Sequence, residues 1–183
     1  MKKSLVVFFM SAMILPCFAQ DFNNPHQWST YTDSGNGGSS TVVMTAKNED
    51  ISGDKVFAVS ISGVVTTQYQ YGFAGLILTP TKGQLKSIQS DSGVKFMVIG
   101  DGQVYRFRAE TSDVKDFDFY GYVVHTTAGV PIQITIPYSD LKQDSWGKAV
   151  SFDPHHIKQL SFQTMGQPLP SYSLKIYNFQ LLP

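Results

Sequence analysis

VKFMVIGDGQVYRFRAE, residues 94–110, carries two alternating apolar and polar runs around the turn Gly100-Asp101-Gly102-Gln103. Val94, Phe96 and Val98 fall on one face of the first run, and Tyr105, Phe107 and Ala109 on one face of the second, as a period of two requires. The glycines around Asp101 offer the positive φ values that a tight turn needs. Pattern and turn together predict a β-hairpin, with Arg106 and Arg108 on the face opposite the apolar one.

Working outward, the chain on both sides repeats this grammar. Short alternating runs occupy Ser39–Ala46, Val56–Val65, Tyr71–Thr79, Phe117–Thr126, Ile132–Ile136, Ile157–Thr164 and Tyr172–Leu182, with polar turns between them. No heptad, no amphipathic helix of more than two turns and no long linker interrupts them. Roughly eight to ten strands in a chain of this size predict an all-β fold, a two-sheet antiparallel jelly-roll sandwich.

Met1–Ala19 reads as a secretory signal: Lys2 and Lys3, an apolar stretch from Leu5 to Leu15, then Cys17-Phe18-Ala19 ahead of Gln20. The apolar stretch is shorter than the roughly 20 residues of a membrane span. Residues 20–183 are then expected to form a single β-sandwich domain, exported to the periplasm or the extracellular space. Pro16 stands where a lipoprotein signal takes a small residue, so lipidation at Cys17 is the weaker reading. Cys17 is also the one cysteine, and cleavage after Ala19 leaves a chain without disulfides or thiolate ligands. Stability then rests on a hydrophobic core, which about 164 residues can bury.

Without Lys2 and Lys3 the 14 basic residues fall to 12, against 14 acidic ones. No basic face accumulates for phosphate binding, so nucleic acid is an unsuited partner. Charged residues make up 15% of the chain and aromatics 13%, a balance that suits sheets with aromatic-bearing faces.

GDGQVYRFRAE at Gly100–Glu110, ITIPYSDL at Ile134–Leu141 and SYSLKIYNFQLL at Ser171–Leu182 resemble the complex I intermediate-associated protein 30 family and the related carbohydrate-binding module family 11. Trp28-Ser29-Thr30-Tyr31 and Gly37-Gly38-Ser39-Ser40 are similar to the Trp-x-x-Tyr and Gly-Gly-x-Ser elements of that group. The resemblance covers nearly all of the chain beyond the leader, in order. It implies a galactose-binding-domain-like jelly roll used as a non-catalytic module, with ligand lying across a concave sheet face and meeting tyrosines. Tyr31 is the position that carries over as a ligand contact. Leu160–Met165 corresponds to the last sugar-facing strand and bears Ser161, Gln163 and Met165 in place of aromatics. The assembly branch of the group implies an alternative partner, a protein of the bacterial cell envelope.

Sugar recognition needs flat rings for pyranose faces and planar polar groups for hydroxyls. Counting alternately, Asp118, Tyr120 and Tyr122 fall opposite Phe117 and Phe119, and Ser161 and Gln163 fall opposite Leu160 and Phe162. Tyr31, Arg106, Tyr120, Tyr122 and Gln163 are therefore expected to line one surface. The same outward set also reads simply as a covering of long amphipathic side chains. Trp146, in the polar loop Lys142–Lys148, reads either as a ligand platform or as a plug folded back on the sandwich.

His155 and His156 are adjacent, and adjacent strand residues point to opposite faces, which disfavours a shared metal. A structural calcium held by oxygen ligands such as Asp21 and Asp33 is the better cation candidate, against a solvated Asn/Asp/Gly loop. No nucleophile elbow is present, and Asp91, Asp101 and Glu110 read as carboxylates in or beside turns. An enzyme is not expected.

Overall fold

In the computed structural model, which describes residues 21–166 and 168–183, the two arms of 94–110 are strands that do not pair with each other. They lie in different sheets. The elements in chain order are β1 (Trp28–Thr32), β2 (Thr41–Ile51), β3 (Asp54–Val65), β4 (Ala74–Leu78), α1 (Lys82–Ser90), β5 (Gly93–Gly100), β6 (Val104–Thr111), β7 (Tyr120–His125), β8 (Pro131–Pro137), β9 (Ile157–Thr164) and β10 (Leu169–Leu182). One five-stranded sheet runs β1-β4-β9-β6-β7 and the other β2-β3-β10-β5-β8. Every named pairing is antiparallel, and the architecture is the all-β jelly-roll sandwich the sequence predicts.

The predicted hairpin is thus corrected to an arch that crosses from one sheet to the other. The apolar faces are as read: Val94, Phe96, Val98, Tyr105, Phe107 and Ala109 are all buried. They meet across the sandwich, with Phe96 6.0 Å from Phe107 and 5.1 Å from Phe162, ring centre to ring centre. Of the two turn glycines only Gly102 takes a positive φ, of 90°. Gly100 serves close approach instead, since a Cβ there would stand 2.4 Å from Thr126 Oγ1.

The arch is locked by polar contacts. Asp101 Oδ1 accepts from Gln103 N at 3.1 Å, and Asp101 Oδ2 accepts from Ser173 N of β10 at 2.8 Å. The Tyr105 hydroxyl reaches through the core to Asp101 Oδ1 at 3.0 Å and the Ser173 carbonyl at 2.9 Å. A turn, a strand of one sheet and a strand of the other are thereby joined at one carboxylate.

The helix α1 was not anticipated. Its start is a capping box: the Thr81 hydroxyl accepts from Gln84 N, and the Gln84 side chain accepts from Thr81 N at 2.8 Å. Ile88 anchors it in the core. The strand expected to begin at Tyr71 begins at Ala74, and β1 adds a strand at the Trp28-x-x-Tyr31 motif. The predicted leader, residues 1–19, lies outside the described residues. Among the described residues no helix is long and apolar enough to cross a membrane.

Candidate functional site

The side chains of the β1-β4-β9-β6-β7 sheet that do not enter the core form rows across the strands. Register places Tyr31, Gly75, Gln163 and Arg106 in one row, and Ile77, Ser161 and Arg108 in the next. Glu110 and Gln159 follow. Their strand neighbours Leu76, Phe107, Leu160 and Phe162 are buried, so period-two alternation sends this polar set to the outer face.

These polar groups are fixed by one another. Gln163 Oε1 accepts from the Tyr31 hydroxyl at 3.1 Å and also from Arg108 Nη1. With the oxygen so engaged, the amide nitrogen of Gln163 is the group left to solvent, a donor of set direction. Glu110 accepts from Ser161 Oγ at 2.5 Å and from Gln159 Nε2 at 2.7 Å. Tyr31 is pushed up to about 12 because burial disfavours its phenolate; Arg108 nearby acts in the opposite sense. The hydroxyl is therefore a neutral donor and acceptor throughout the physiological range.

Aromatic rings stand at both margins. Beside β1, Tyr31 lies 5.8 Å from Phe73, which meets Tyr69, which in turn meets Tyr71, an exposed ring. Beside β6, Phe119 receives the Arg108 guanidinium at 5.7 Å and packs edge-on against Phe117, 69% exposed. Arg108 Nη2 reaches the Phe117 carbonyl at 3.4 Å. A polar floor between ring-bearing margins offers donors, acceptors and flat apolar faces together.

Arg106 plays a different part from the one expected of it. It is 6% exposed, lies over Gly121, pairs with Asp144 at 2.5 Å and donates to the Lys142 carbonyl at 2.9 Å. It ties the 142–150 loop to the edge of β7. Asp118, buried, accepts from the backbone amides of Asp144 and Gly147 at 2.9 and 3.1 Å. Asp116 accepts from Lys148 N at 2.6 Å, and this bond holds its carboxyl below the usual range. These side chains pin the loop, and Trp146 at its tip is 61% exposed rather than folded back as a plug.

The register corrects two predicted contacts. Tyr120 pairs with Ala109 and Tyr122 with Phe107, both core-facing residues, so both tyrosines turn inward and pack on the core. Tyr120 packs at a tilt against Phe152, 4.9 Å between ring centres, and donates its hydroxyl to the Val150 carbonyl. Gly121 and Val123 occupy the outer positions where the tyrosines were expected. Tyr31 and Gln163 are on the predicted face and in contact. Arg108, Glu110, Ser161 and Phe119 complete the floor. Glu110 was read as a turn residue, although its parity with Arg106 and Arg108 already put it on their face.

The cation candidates do not converge. Asp21 and Asp33 lie beyond opposite ends of β1. Asp33 is buried against Gly38 and accepts from Ser40 N at 3.0 Å and Ser40 Oγ at 2.6 Å; Asp21 accepts from Asn23 N at 2.8 Å. These carboxylates close local turns. His155 and His156 sit in a 3-10 turn rather than on a strand, one beside Asp153 and the other against Asp113. Among the described residues no three His, Cys, Asp or Glu side chains are grouped to hold a metal ion.

Comparison with known proteins adds to this geometry. The profile of complex I intermediate-associated protein 30 matches residues 18–176. The chain is 26% identical over 170 residues to Endoglucanase 3 of Fibrobacter succinogenes, covering 84% of this chain and 24% of that protein. It thus spans about a quarter of that relative's length. Two solved structures of the family 11 carbohydrate-binding module from Clostridium thermocellum share the fold. One, from the cellulosomal cellulase Lic26A-Cel5E, has a TM-score of 0.60 at 18% identity, over 85% of this chain and 87% of that one. The other, in complex with a β-1,3-1,4-mixed-linked tetrasaccharide, has a TM-score of 0.62 at 17% identity, over 90% and 94%.

Proposed function

Because the chain belongs to the complex I intermediate-associated protein 30 family, we propose that the outer face of its β1-β4-β9-β6-β7 sheet is a non-catalytic carbohydrate-binding surface. The observation that carries this reading is the shared Gln163. Tyr31 and Arg108 both donate to its oxygen, which presents an oriented amide donor between two ring-bearing margins. Rings that cover pyranose faces and planar groups that pair with hydroxyls are what a saccharide site requires. The tetrasaccharide held by a module of the same fold supports the choice of ligand class. Glycoside hydrolysis needs two carboxyl groups free to act across a bond. Here Glu110 is engaged by Ser161 and Gln159, and Asp144 by Arg106.

The same proposal places the protein outside the cytoplasm, where polysaccharides are met, after removal of residues 1–19. N-terminal sequencing of the protein from envelope and culture fractions should begin at Gln20. For the site, isothermal titration with mixed-linkage β-glucan oligosaccharides should give saturable binding that Tyr31→Ala and Arg108→Ala weaken without lowering Tm in proportion. The reading fails if the folded protein binds no neutral or charged saccharide at millimolar concentration.

A further inference from the structure

A hollow of about 310 Å³ opens at one end of this face, lined by Glu110, Thr111, Ser112, Val114, Lys115, Phe119, Lys158 and Gln159. It adjoins the floor, since Glu110 and Gln159 belong to both. Its charge is unlike that of the floor. Lys115 is exposed and donates only to the Ser112 carbonyl, at 2.6 Å; Lys158 is exposed and has no partner among the described residues. Neither lysine is ion-paired to the carboxylates around them, which keep their negative charge. Glu110 is taken by Ser161 and Gln159, Asp113 by His156, and Asp116 by the amides of Lys148 and Asp118. Arg108 lies over the Phe119 ring, with its Nε buried and without a hydrogen-bond partner.

Two ammonium groups without an ion pair over a small hollow, with an aromatic ring as one wall, match one ligand unit. Building on the saccharide reading above, we propose that this hollow is a subsite for a sugar bearing an anionic group, a uronate carboxylate or a sulfate ester. The ring would meet Phe119 through its C–H face, its hydroxyls would meet Gln159 and Glu110, and its anion would meet Lys115 and Lys158. A neutral hexose gives neither lysine an ion-pair partner, so the charged unit is preferred.

The test compares cellotetraose, the same tetrasaccharide oxidised at one C6 to the carboxylate, and its C6-sulfate ester, by isothermal titration on the whole chain. The charged forms should bind about tenfold more tightly than the neutral one at low salt, and the advantage should fade toward about 0.5 M salt. In Lys115→Gln/Lys158→Gln the advantage should vanish while cellotetraose binds as before; both lysines are exposed, so the fold is retained. The carboxylate and sulfate arms tell which anion is preferred. Equal binding of all three overturns the subsite and leaves the carbohydrate reading standing. An advantage that survives in the double variant also overturns it, by placing the anion elsewhere. Binding of none of the three overturns the subsite, and the carbohydrate reading falls with it only if the mixed-linkage oligosaccharides also fail to bind.

Discussion

The Tyr31 ring lies across the backbone of Gly75: a Cβ at Gly75 would stand 2.4 Å from both Cε1 and Cζ of the ring. The neighbouring strand has been bared of a side chain so that an aromatic ring can bridge β1 to Gln163 on β9. Gly75→Ala also presses on the Phe162 carbonyl, 2.6 Å away. It should cost about 1–3 kcal/mol in chemical denaturation and displace the ring. Tyr31→Phe keeps the ring and loses only the bond to Gln163, so saccharide affinity should fall less than in Tyr31→Ala. Equal losses in the two variants would show that the ring face contributes nothing.

Trp146 is the exposed one of the chain's two tryptophans; Trp28 is buried and donates to the Phe22 carbonyl at 3.0 Å. Acrylamide should therefore quench chiefly Trp146. Asp144→Asn weakens the tie to Arg106 and should raise the mobility of the 142–150 loop, read as lower fluorescence anisotropy of Trp146 in a Trp28→Phe background. Protection of Trp146 from quencher on saccharide addition would make it a contact. Unchanged quenching at saturation would exclude it.

Tyr105→Phe should lower stability by about 1–3 kcal/mol, because a buried hydroxyl shared by Asp101 and the Ser173 carbonyl is removed. Asp101→Asn should act in the same direction, since it alters the acceptor of Ser173 N and Gln103 N. Neither residue touches the outer face of the β1-β4-β9-β6-β7 sheet. Urea midpoints should move while affinity, measured well below the transition, stays constant. A change in affinity would couple the arch to the site.

Tyr31, Tyr105, Tyr138 and Tyr172 are all held above the ordinary tyrosine value of 10.0, in each case first of all by burial, with Tyr31 near about 12. The unfolded chain ionises these phenols near their ordinary value, and the folded chain resists. Their contribution to stability is therefore complete below pH 10 and is lost as pH climbs from there toward the folded values. Denaturation midpoints should fall steeply between about pH 10 and pH 12, with late-titrating phenols in the tyrosinate absorbance. A flat profile across that window would contradict the burial of these hydroxyls.

The apolar half of this structure is legible in the chain, because a period of two fixes which residues share a face. Val94, Phe96, Tyr105 and Phe107 are core for that reason. What the period does not fix is the partner of a strand. Hairpin and arch place the same residues inward, and they differ in whether the arms bond to each other or to distant strands. The Phe117–Thr126 run shows a second limit. Bulk suggested that Phe117 and Phe119 face in, which inverts the parity of every residue up to Tyr122. Instead Phe117 takes a positive φ of 68°, Asp118 is buried as the anchor of the 142–150 loop, and the inward places go to Tyr122 and to Tyr120, whose hydroxyl finds the Val150 carbonyl. Tyr31 and Gln163 were readable through motif and parity. Arg108 and Glu110 follow from the same parity, whereas the Lys115 and Lys158 hollow depends on loop geometry that no local pattern encodes. The capping box Thr81-Lys82-Gly83-Gln84 was a readable signal for α1 that the short helix length obscured.

β9 is the middle strand of one sheet and β10 the middle strand of the other. Neither sheet can close until residues 157–182 are available, because β4 meets β6 only through β9, and β3 meets β5 only through β10. Everything made earlier on the ribosome is a set of unjoined strand pairs such as β2 with β3. Order in either sheet therefore waits on its middle strand, as loop-closure entropy delays such distant pairings. Until these two strands pair, the strands before them are held only two by two, and the outer face of the β1-β4-β9-β6-β7 sheet lacks its middle.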